Sequence, residues 1–392
     1  MTVRTAAVLP GLVPTPARPF GLYIHVPFCA TRCGYCDFNT YTPGEDGGGA
    51  HAAYVDAALA EMRLATAVLN GAAPGASTVF FGGGTPTRLE AAQLARLLDG
   101  VREAFGVEDG AEVTIEANPE SVDAAKLHAL RAAGFTRLSV GMESAVSHVL
   151  ASLERRHTPG RVAATVAAAR DAGFEHVSVD LIYGAPGETD EDWAASLQAA
   201  LALAPDHVSA YALGVEPGTR LHARVRRGEV AVACDDAMAR RYRMADRALG
   251  DAGLGWYELS NWAVAPASRS RHNLGYWRSQ TWWGVGPGAH SHAGGVRWWN
   301  VLHPRAYAAR LSEGVSPAAG RETLSDRERA LERVMLEVRL VEGLPLDALD
   351  AEGLRAAHDH AQAGHLVLHD GRAVLTLDGR LLADAVARDL SG

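Results

Sequence analysis

The sequence is poor in cysteine and has no long uninterrupted apolar run. Only 4 of its 392 residues are cysteine, too few for the disulfide scaffold of a secreted protein, and Cys234 stands alone as a predicted inert structural thiol. No stretch reaches the roughly 18 apolar residues of a membrane-spanning helix. The formal net charge of −9 argues against broad nucleic-acid binding. These absences predict a cytoplasmic protein with no transmembrane segment and no nucleic-acid partner.

The first 19 residues also lack the continuous apolar core of a signal peptide. Prolines interrupt their apolar residues, so the segment is predicted to be a flexible tail. The rest of the chain, with 48% hydrophobic residues overall, is long enough for one large domain and a smaller one.

Three cysteines, Cys29, Cys33 and Cys36, occur together with the spacing C-x3-C-x2-C. Thiolates are the usual ligands of iron–sulfur clusters, and a cubane cluster normally takes four of them. Three thiolates on one loop would therefore leave one iron open to a small molecule, as reactive metal sites require. The alternatives are a disulfide pair or a zinc site completed by His25 or Asp37.

The cysteine motif resembles that of the radical S-adenosylmethionine (SAM) superfamily, in which an aromatic residue, here Tyr35, precedes the last cysteine. In that superfamily the open iron binds the amino and carboxylate groups of SAM. The run YIHVPFC narrows the resemblance to the branch that contains oxygen-independent coproporphyrinogen III oxidase and the heme chaperones. The resemblance extends from about Phe20 to the C-terminus and implies a [4Fe–4S] cluster and SAM as cofactors.

Short apolar strands alternate with helical stretches from Gly21 to about Gly250, which indicates an α/β fold with parallel strands and right-handed crossovers. A doubly wound open sheet fits this pattern, but the resemblance implies a partial (β/α)6 barrel. The predicted strands are Leu22–Val26, Thr78–Phe81, Val113–Glu116, Arg137–Val140, His176–Ile182 and His207–Leu213. The predicted helices are Tyr54–Leu69, Ala91–Phe105, Val122–Ala133, Arg161–Ala172 and one that starts at Thr189.

Candidate ligand residues follow the carboxyl ends of these strands, where the active sites of both architectures lie. The glycines of the run GGGTPT after the second strand permit a close backbone approach to a ligand. Glu143 departs from the family, which commonly has glutamine there, and salt bridging at the barrel rim is the structural alternative for the acids. By resemblance, the SAM contacts are Tyr23, Tyr35, Gly83, Gly84, Thr85, Glu116, Glu143, Arg155, Asp180 and Ala212.

Two features distinguish the members of this branch. The oxidases carry a further cysteine two residues after the third, where this chain has Phe38. His272 opens the run HNLGYW, which matches the H-N-x-x-Y-W motif of the heme chaperones. An imidazole can ligate heme iron, and Tyr276 and Trp277 offer flat apolar surface for a porphyrin. The structural alternative is a loop histidine packed beside two core aromatics.

The region from 251 to 320 is unusually aromatic, because it holds seven of the eight tryptophans. Large aromatics line cofactor pockets, but they also fill cores between domains. Within this linking region His290 and His292 are secondary candidates for a heme ligand. Arg269 and Arg271 precede the HNLGYW motif and could pair with porphyrin propionates.

Residues 321–392 are predicted to form a smaller α+β domain that resembles a winged helix. Its helix Leu324–Leu340 begins with Ser325 and Glu328 in a capping-box arrangement. Two short strands, His365–His369 and Ala373–Leu377, precede a closing helix at Leu381–Leu390. Winged helices often bind DNA, but this segment lacks a basic stripe and is expected to shape the substrate side of the barrel domain, residues 20–250.

The resemblance favours a heme chaperone, which would bind heme and deliver it to apoproteins of the respiratory-chain type. Its cluster would need a reductant protein, and transient association with a membrane stays open. The first alternative is coproporphyrinogen III oxidase, in which a radical derived from SAM attacks the propionate side chains of the substrate. A radical SAM enzyme with another substrate is the second alternative.

Overall fold

The computed structural model describes residues 19–45, 50–69, 74–158 and 160–392, so most of the predicted N-terminal tail lies outside the described residues. The strands are β1 Phe20–Val26, β2 Ala76–Gly83, β3 Val107–Ala117, β4 Arg137–Glu143, β5 His176–Tyr183, β6 His207–Ala212, β7 Gly255–Glu258, β8 Asn261–Ala263, β9 Thr281–Val285, β10 His290–Ala293, β11 Val296–Asn300, β12 Ala318–Thr323, β13 Leu344–Pro345, β14 Leu366–His369 and β15 Arg372–Leu375.

The helices surround and connect these strands. They are α1 Ala50–Val68, α2 Ala91–Ala104, α3 Ala124–Ala133, α4 Ser147–Ser152, α5 Arg161–Asp171, α6 Asp190–Leu201, α7 Arg220–Arg226, α8 Asp235–Asp251, α9 Arg271–Trp277, α10 Pro304–Ser312, α11 Asp326–Glu337, α12 Ala351–Gln362, α13 Leu377–Leu381 and α14 Ala383–Leu390. Among the described residues no helix is long and apolar enough to cross a membrane.

Six adjacent parallel strands, β1 to β6, form the centre of a 12-stranded mixed sheet. The predicted α/β barrel strands are all present, and β3 begins earlier than predicted, at Val107. The predicted helix ends at Gly134 and Thr189 are also present. Gly134 ends α3 with a φ of 108°, and Thr189 forms a capping box with Asp192 at the start of α6. The strand–helix alternation therefore gives the architecture that the sequence predicts.

The two faces of strands β3 to β6 differ sharply in chemistry. Successive side chains of a strand point to opposite faces, so alternate residues share a side. Residues such as Val113, Val140 and Val179 belong to the apolar core. The intervening positions, which include Glu116, Ser139 and Asp180, instead line an internal cavity. The sheet thus places a polar interior inside an apolar shell.

The aromatic region 251–320 adds strands to both edges of the same sheet. The β7–β8 hairpin pairs with β6, and β9 pairs in parallel with β1. Strands β10 to β12 continue outward from β9 in antiparallel order. Trp262, Trp283 and Trp298 are fully buried there, so these three tryptophans fill core and are not available to a ligand.

The C-terminal residues form a second, three-stranded sheet in the order β13-β15-β14, with its own core that includes Val338 and Val386. This α+β unit packs against the edge strand β7 and hydrogen-bonds to it. The backbone N–H of Val341 donates to the carbonyl of Tyr257 over 2.9 Å. The Arg380 guanidinium donates to both carboxylate oxygens of Asp246, at 2.7 and 3.0 Å, and lies over the ring of Trp256.

A buried carboxylate joins α1 to the added strands. Glu61 is 1% exposed, and its oxygens accept hydrogen bonds from the Gly286 backbone N–H at 2.9 Å, the Asn300 amide at 2.7 Å and the Tyr307 hydroxyl. Burial raises the pKa of Glu61 to about 7. Three donors converge on this group. Its loss would leave the Gly286 N–H and the Tyr307 hydroxyl without an acceptor, and the Asn300 amide would keep only the Gly286 carbonyl.

We expect Glu61→Ala to lower the midpoint of thermal unfolding by about 5 °C or more, because each buried donor without an acceptor costs roughly 1–3 kcal/mol. Differential scanning calorimetry of the cluster-free protein measures this. Glu103→Ala, which removes an exposed carboxylate from α2, is the matched control and should change the midpoint little. Equal midpoints for the two variants would contradict the structural role of Glu61.

Candidate functional site

A cavity of about 780 Å³ runs through the interior of the parallel strands and opens at their carboxyl ends. The three motif cysteines lie at its mouth. The predicted SAM contacts also line it, with the exception of Tyr23: Tyr35, Gly83, Gly84, Thr85, Glu116, Glu143, Arg155, Asp180 and Ala212. The structure thus brings together residues from six separate strand ends.

The loop that carries the cysteines lies directly on the end of β2. The Gly84 N–H donates to the carbonyl of Val26 at 2.9 Å, and the Thr85 N–H donates to that of Phe28 at 2.8 Å. A Cβ at Gly84 would stand 2.8 Å from the carbonyl oxygen of Phe28 and 3.0 Å from Sγ of Cys29. Gly83 has a φ of +113°, which side-chain-bearing residues rarely adopt. The glycine run is therefore needed for the cysteine loop to pack against the end of β2, whether or not it also contacts a ligand.

The surroundings of the cysteines fit an iron–sulfur cluster. All three are free thiols, none fully buried, with the Thr85 hydroxyl 3.8 Å from Sγ of Cys29 and the Arg155 guanidinium 3.7 Å from Sγ of Cys33. Burial raises the pKa of Cys29 and raises that of Cys36 to about 11, so a positively charged centre is needed to hold them as thiolates.

Three carboxylates face the cavity beside the cysteines. Glu116 accepts from the Gly83 N–H at 3.2 Å, Asp180 accepts from the Ser139 hydroxyl at 2.7 Å, and Glu143 pairs with Arg155 at 3.0 Å. Burial raises the pKa of all three, and that of Glu116 reaches about 8, with Asp180 as the second cause. Such a group of acids lowers its free energy by binding a cation, and SAM carries a sulfonium and an amino group.

Glu143 has an unusual backbone conformation. Its φ is 58°, in the left-handed region, and the pairing of β4 with β5 shifts register between Gly141 and Glu143. Non-glycine residues with such dihedrals cluster at binding sites because the surrounding contacts must hold them. Here Arg155 and the Tyr35 hydroxyl, 3.5 Å away, hold the Glu143 carboxylate at the cavity wall.

Tyr23 is the middle residue of β1, and a Cβ added at Gly82 would be 3.0 Å from its ring and 3.1 Å from the Glu116 carboxylate. The HNLGYW motif packs beside Tyr23. The Tyr23 hydroxyl is 3.0 Å from Nδ1 of His25, and its ring stacks near His272. His272 is 3% exposed, with Nδ1 2.9 Å from the Thr78 hydroxyl and Nε2 2.8 Å from the Tyr276 hydroxyl. Both ring nitrogens are therefore engaged within the protein, and the heme ligand at His272 stays a prediction.

The other predicted porphyrin residues occupy varied positions. Trp277 is half-buried against a small core cluster that includes Leu340. His292 is buried, whereas His290 is exposed and stacks on Trp299 at 5.9 Å between ring centres. Phe38 is 61% exposed beside the cysteine loop. Of the candidate histidines for iron, His290 is the one that solvent reaches.

The sequence prediction missed the deeper wall of the cavity. This wall consists of alternate residues on β3 to β6, which are Thr114, Arg137, Ser139, Ser178, His207 and Ser209, together with Ser270 and Asn273 near α9. The signal was present, because polar residues recur at every second position in strands whose other positions are apolar. A strand buried on both faces would instead have a continuous apolar run.

Comparison with known proteins agrees with this geometry. The Radical SAM superfamily model matches residues 23–200. Heme chaperone HemW of Mycobacterium tuberculosis is 52% identical over 393 aligned residues, which cover the whole of both chains. Heme chaperone HemW of Bacillus subtilis is 32% identical over 380 residues, 93% of this chain and 97% of that one.

A solved structure shares the fold. Coproporphyrinogen III oxidase (HemN) from Escherichia coli matches with a TM-score of 0.81 and 24% identity, covering 96% of this chain and 91% of the other. The radical SAM domain implies a [4Fe–4S] cluster and SAM, and the cysteines and acids at the cavity mouth fit both. The chain therefore belongs to the HemW family of the radical SAM superfamily.

Proposed function

We propose that this protein is a heme chaperone of the cytoplasm, which binds heme and delivers it to heme-requiring apoproteins. The observation that carries the proposal is the 52% identity, over the full length of both chains, to a protein named as a heme chaperone. Phe38 supports it, because the position that holds a fourth sulfur in the oxidase pattern is an exposed phenylalanine here. A reductant protein would supply electrons to the cluster.

The cavity wall gives a physical argument about where heme binds. Serine, threonine, arginine and acidic side chains line the part beneath the mouth. The conjugated ring of heme is a large flat apolar surface, and apolar and aromatic walls favour its removal from water. Heme is therefore expected to bind outside the barrel interior, next to the aromatic region.

The [4Fe–4S] cluster would be held by Cys29, Cys33 and Cys36, and when bound it supplies the electron that cleaves SAM. The protein's own residues bind and orient SAM. Glu116 and Asp180 attract its positive charge, and Gly83 and Gly84 allow close backbone contact. Arg155 fixes Glu143 at the cavity wall.

His272 is proposed as an iron ligand, with Tyr276 and Trp277 as ring contacts. Burial lowers the pKa of His272 to about 3, so the imidazole is neutral, which is the form that ligates iron. Ligation through Nε2 requires the Tyr276 hydroxyl to leave its position 2.8 Å away. The exposed His290 is the competing ligand, and the experiments below separate the two.

Replacing any one of Cys29, Cys33 and Cys36 by Ala should remove most of the visible absorbance of the anaerobically reconstituted protein, because each thiolate is expected to hold one iron. Iron and sulfide content measure the loss. Cys234→Ala is the matched control, since Cys234 is exposed at the start of α8 and outside the cavity. Loss of the cluster in Cys234→Ala would contradict the assignment of three ligands.

SAM affinity should rise with pH between about 6.5 and 8, by up to about tenfold per pH unit. The reason is that the pKa of Glu116 is about 8 without ligand, and a cationic ligand favours the ionised carboxylate, so binding below pH 8 must release a proton. Calorimetry in two buffers of different ionisation enthalpy counts the protons released.

Glu116→Gln is the control for the titration of SAM itself, since it keeps the size of the side chain and removes the ionisable group. It should bind SAM more weakly and release fewer protons than the wild type. Identical proton release by both proteins would exclude Glu116 from the site.

His272→Ala should shift the absorption spectrum of bound heme and weaken binding by roughly tenfold or more, because an iron ligand is lost. Tyr276→Phe keeps the flat ring but frees Nε2 of His272, so it should bind heme at least as tightly as the wild type. Trp277→Ala should weaken binding with less spectral change. Heme titration followed by absorbance measures all three.

A change in the heme absorption spectrum of His290→Ala, with no change in that of His272→Ala, would show that His290 is the iron ligand. The wild type should not convert coproporphyrinogen III when SAM and a reductant are present. Turnover in that assay would overturn the chaperone proposal.

A further inference from the structure

The deep end of the barrel cavity has its own chemistry. Arg137 and His207 are the first residues of β4 and β6, so they stand at the amino ends of the strands, far from the cysteine loop. Both line the same cavity as the cysteines. Ser270 and Asn273, near the start of α9, also line it, and these four residues with Thr114 and Ser178 define what we term the floor of the cavity.

Arg137 is the dominant charge of this floor. Its side chain is 2% exposed, and its Nη1 donates to the backbone carbonyl of Ser268 at 2.7 Å. Its Nη2 is buried without a hydrogen-bond partner, and within the described part of the chain Arg137 forms no ion pair. The guanidinium is therefore buried without an ion pair, and the Asp180 carboxylate attracts it only from beyond ion-pair distance.

A second unsatisfied group lies on the neighbouring strand. Thr114 of β3 is paired in register with Arg137, so both side chains are on the cavity side of the sheet. Thr114 is 1% exposed, and its hydroxyl also lacks a partner. Native proteins satisfy nearly all buried polar atoms, so two adjacent exceptions that face one cavity indicate a ligand.

The other polar groups nearby are already engaged with each other. His207 lies between the Ser178 hydroxyl, 2.7 Å from Nδ1, and the Tyr257 hydroxyl, 2.8 Å from Nε2. Burial lowers the pKa of His207 well below its usual value, so this imidazole is neutral and adds no charge. Asp180 is held by the Ser139 hydroxyl at 2.7 Å and is not paired with Arg137. The guanidinium and the Thr114 hydroxyl therefore remain for a ligand.

We propose that the floor of the cavity binds the carboxylate group of a small organic acid, with Nη2 of Arg137 and the Thr114 hydroxyl as its donors. A carboxylate neutralises the buried guanidinium and accepts from both groups, and arginine is the residue best suited to it. The hydroxyl-lined wall suits a small polar molecule. This ligand would lie beneath the SAM position, at the opposite end of the cavity from the cluster.

The test is calorimetric titration of the reconstituted, SAM-loaded and heme-free protein with acetate, glycolate, succinate and inorganic phosphate. At least one carboxylate should bind with a stoichiometry near one. Arg137→Gln should weaken that binding about tenfold or more, as expected for loss of a charged hydrogen bond. The carboxylate affinity of Arg137→Lys should lie between those of the wild type and Arg137→Gln, because lysine keeps the positive charge but lacks the planar pair of donors.

Thr114→Val keeps the shape of the side chain and should weaken binding by a smaller factor, which preserves the test if Arg137→Gln does not fold. Arg156→Gln is the matched control, since Arg156 lines the same cavity at its mouth and should leave the affinity for the acid nearly unchanged. Heme titration of the same variants is expected to match the wild type, which separates this proposal from the chaperone function.

Three results would overturn the proposal. The first is no carboxylate binding up to about 10 mM, a very weak affinity for a built site. The second is binding that is unchanged in both Arg137→Gln and Thr114→Val. The third is a pattern that assigns Arg137 to another anion. This pattern is either binding of phosphate but of no carboxylate, or a loss of heme binding in Arg137→Gln when no acid binds to the wild type.

Discussion

The close packing of the cysteine loop against the end of β2 is the contact on which the site depends. Gly84 brings its backbone within hydrogen-bond distance of Val26, and no Cβ fits between it and Phe28. This contact fixes Cys29 relative to Glu116, whose carboxylate accepts from the adjacent Gly83. The position of any cluster relative to the acids is therefore set by backbone contacts, which are more rigid than a pair of long side chains.

The same strands create the charge distribution of the cavity. Alternate side chains put acids near the mouth and a single unpaired guanidinium of Arg137 near the floor. A cationic ligand above and an anionic ligand below would each neutralise the nearest protein charge. Because both lie in a largely buried space, each interaction is stronger than it would be in water. The polarity of the cavity thus follows from which residues occupy one face of four strands.

Much of this arrangement could be predicted from local sequence. Strand and helix positions follow from apolar periodicity, and caps such as Thr189 and Gly134 mark the ends. The cysteines were expected to lie near Glu116 and Asp180, because the carboxyl ends of parallel strands meet at the same end of a barrel. The mistake of omission was to treat β3 to β6 as apolar strands and to overlook the alternating polar positions.

Contacts between residues that lie far apart in the sequence could not be predicted in this way. His272 was predicted from its motif alone, yet its Nδ1 lies 2.9 Å from the hydroxyl of Thr78, 194 residues earlier in the chain. The sequence analysis made no prediction about Glu61, because its partners Asn300 and Tyr307 come more than 230 residues later. Burial of a polar group depends on which segment packs over it, and one sequence contains no direct record of that pairing.

The two ends of the 12-stranded sheet are protected in different ways, with a consequence for solubility. An unpaired edge strand can template pairing with another chain. The edge strand β12 presents exposed Arg321 and Glu322, whose charges oppose such pairing. At the other edge, Val341 bonds to β7 and Arg380 covers Trp256, so the C-terminal unit occupies the place of a neighbouring strand. That unit therefore covers the edge at which another chain could otherwise add a strand.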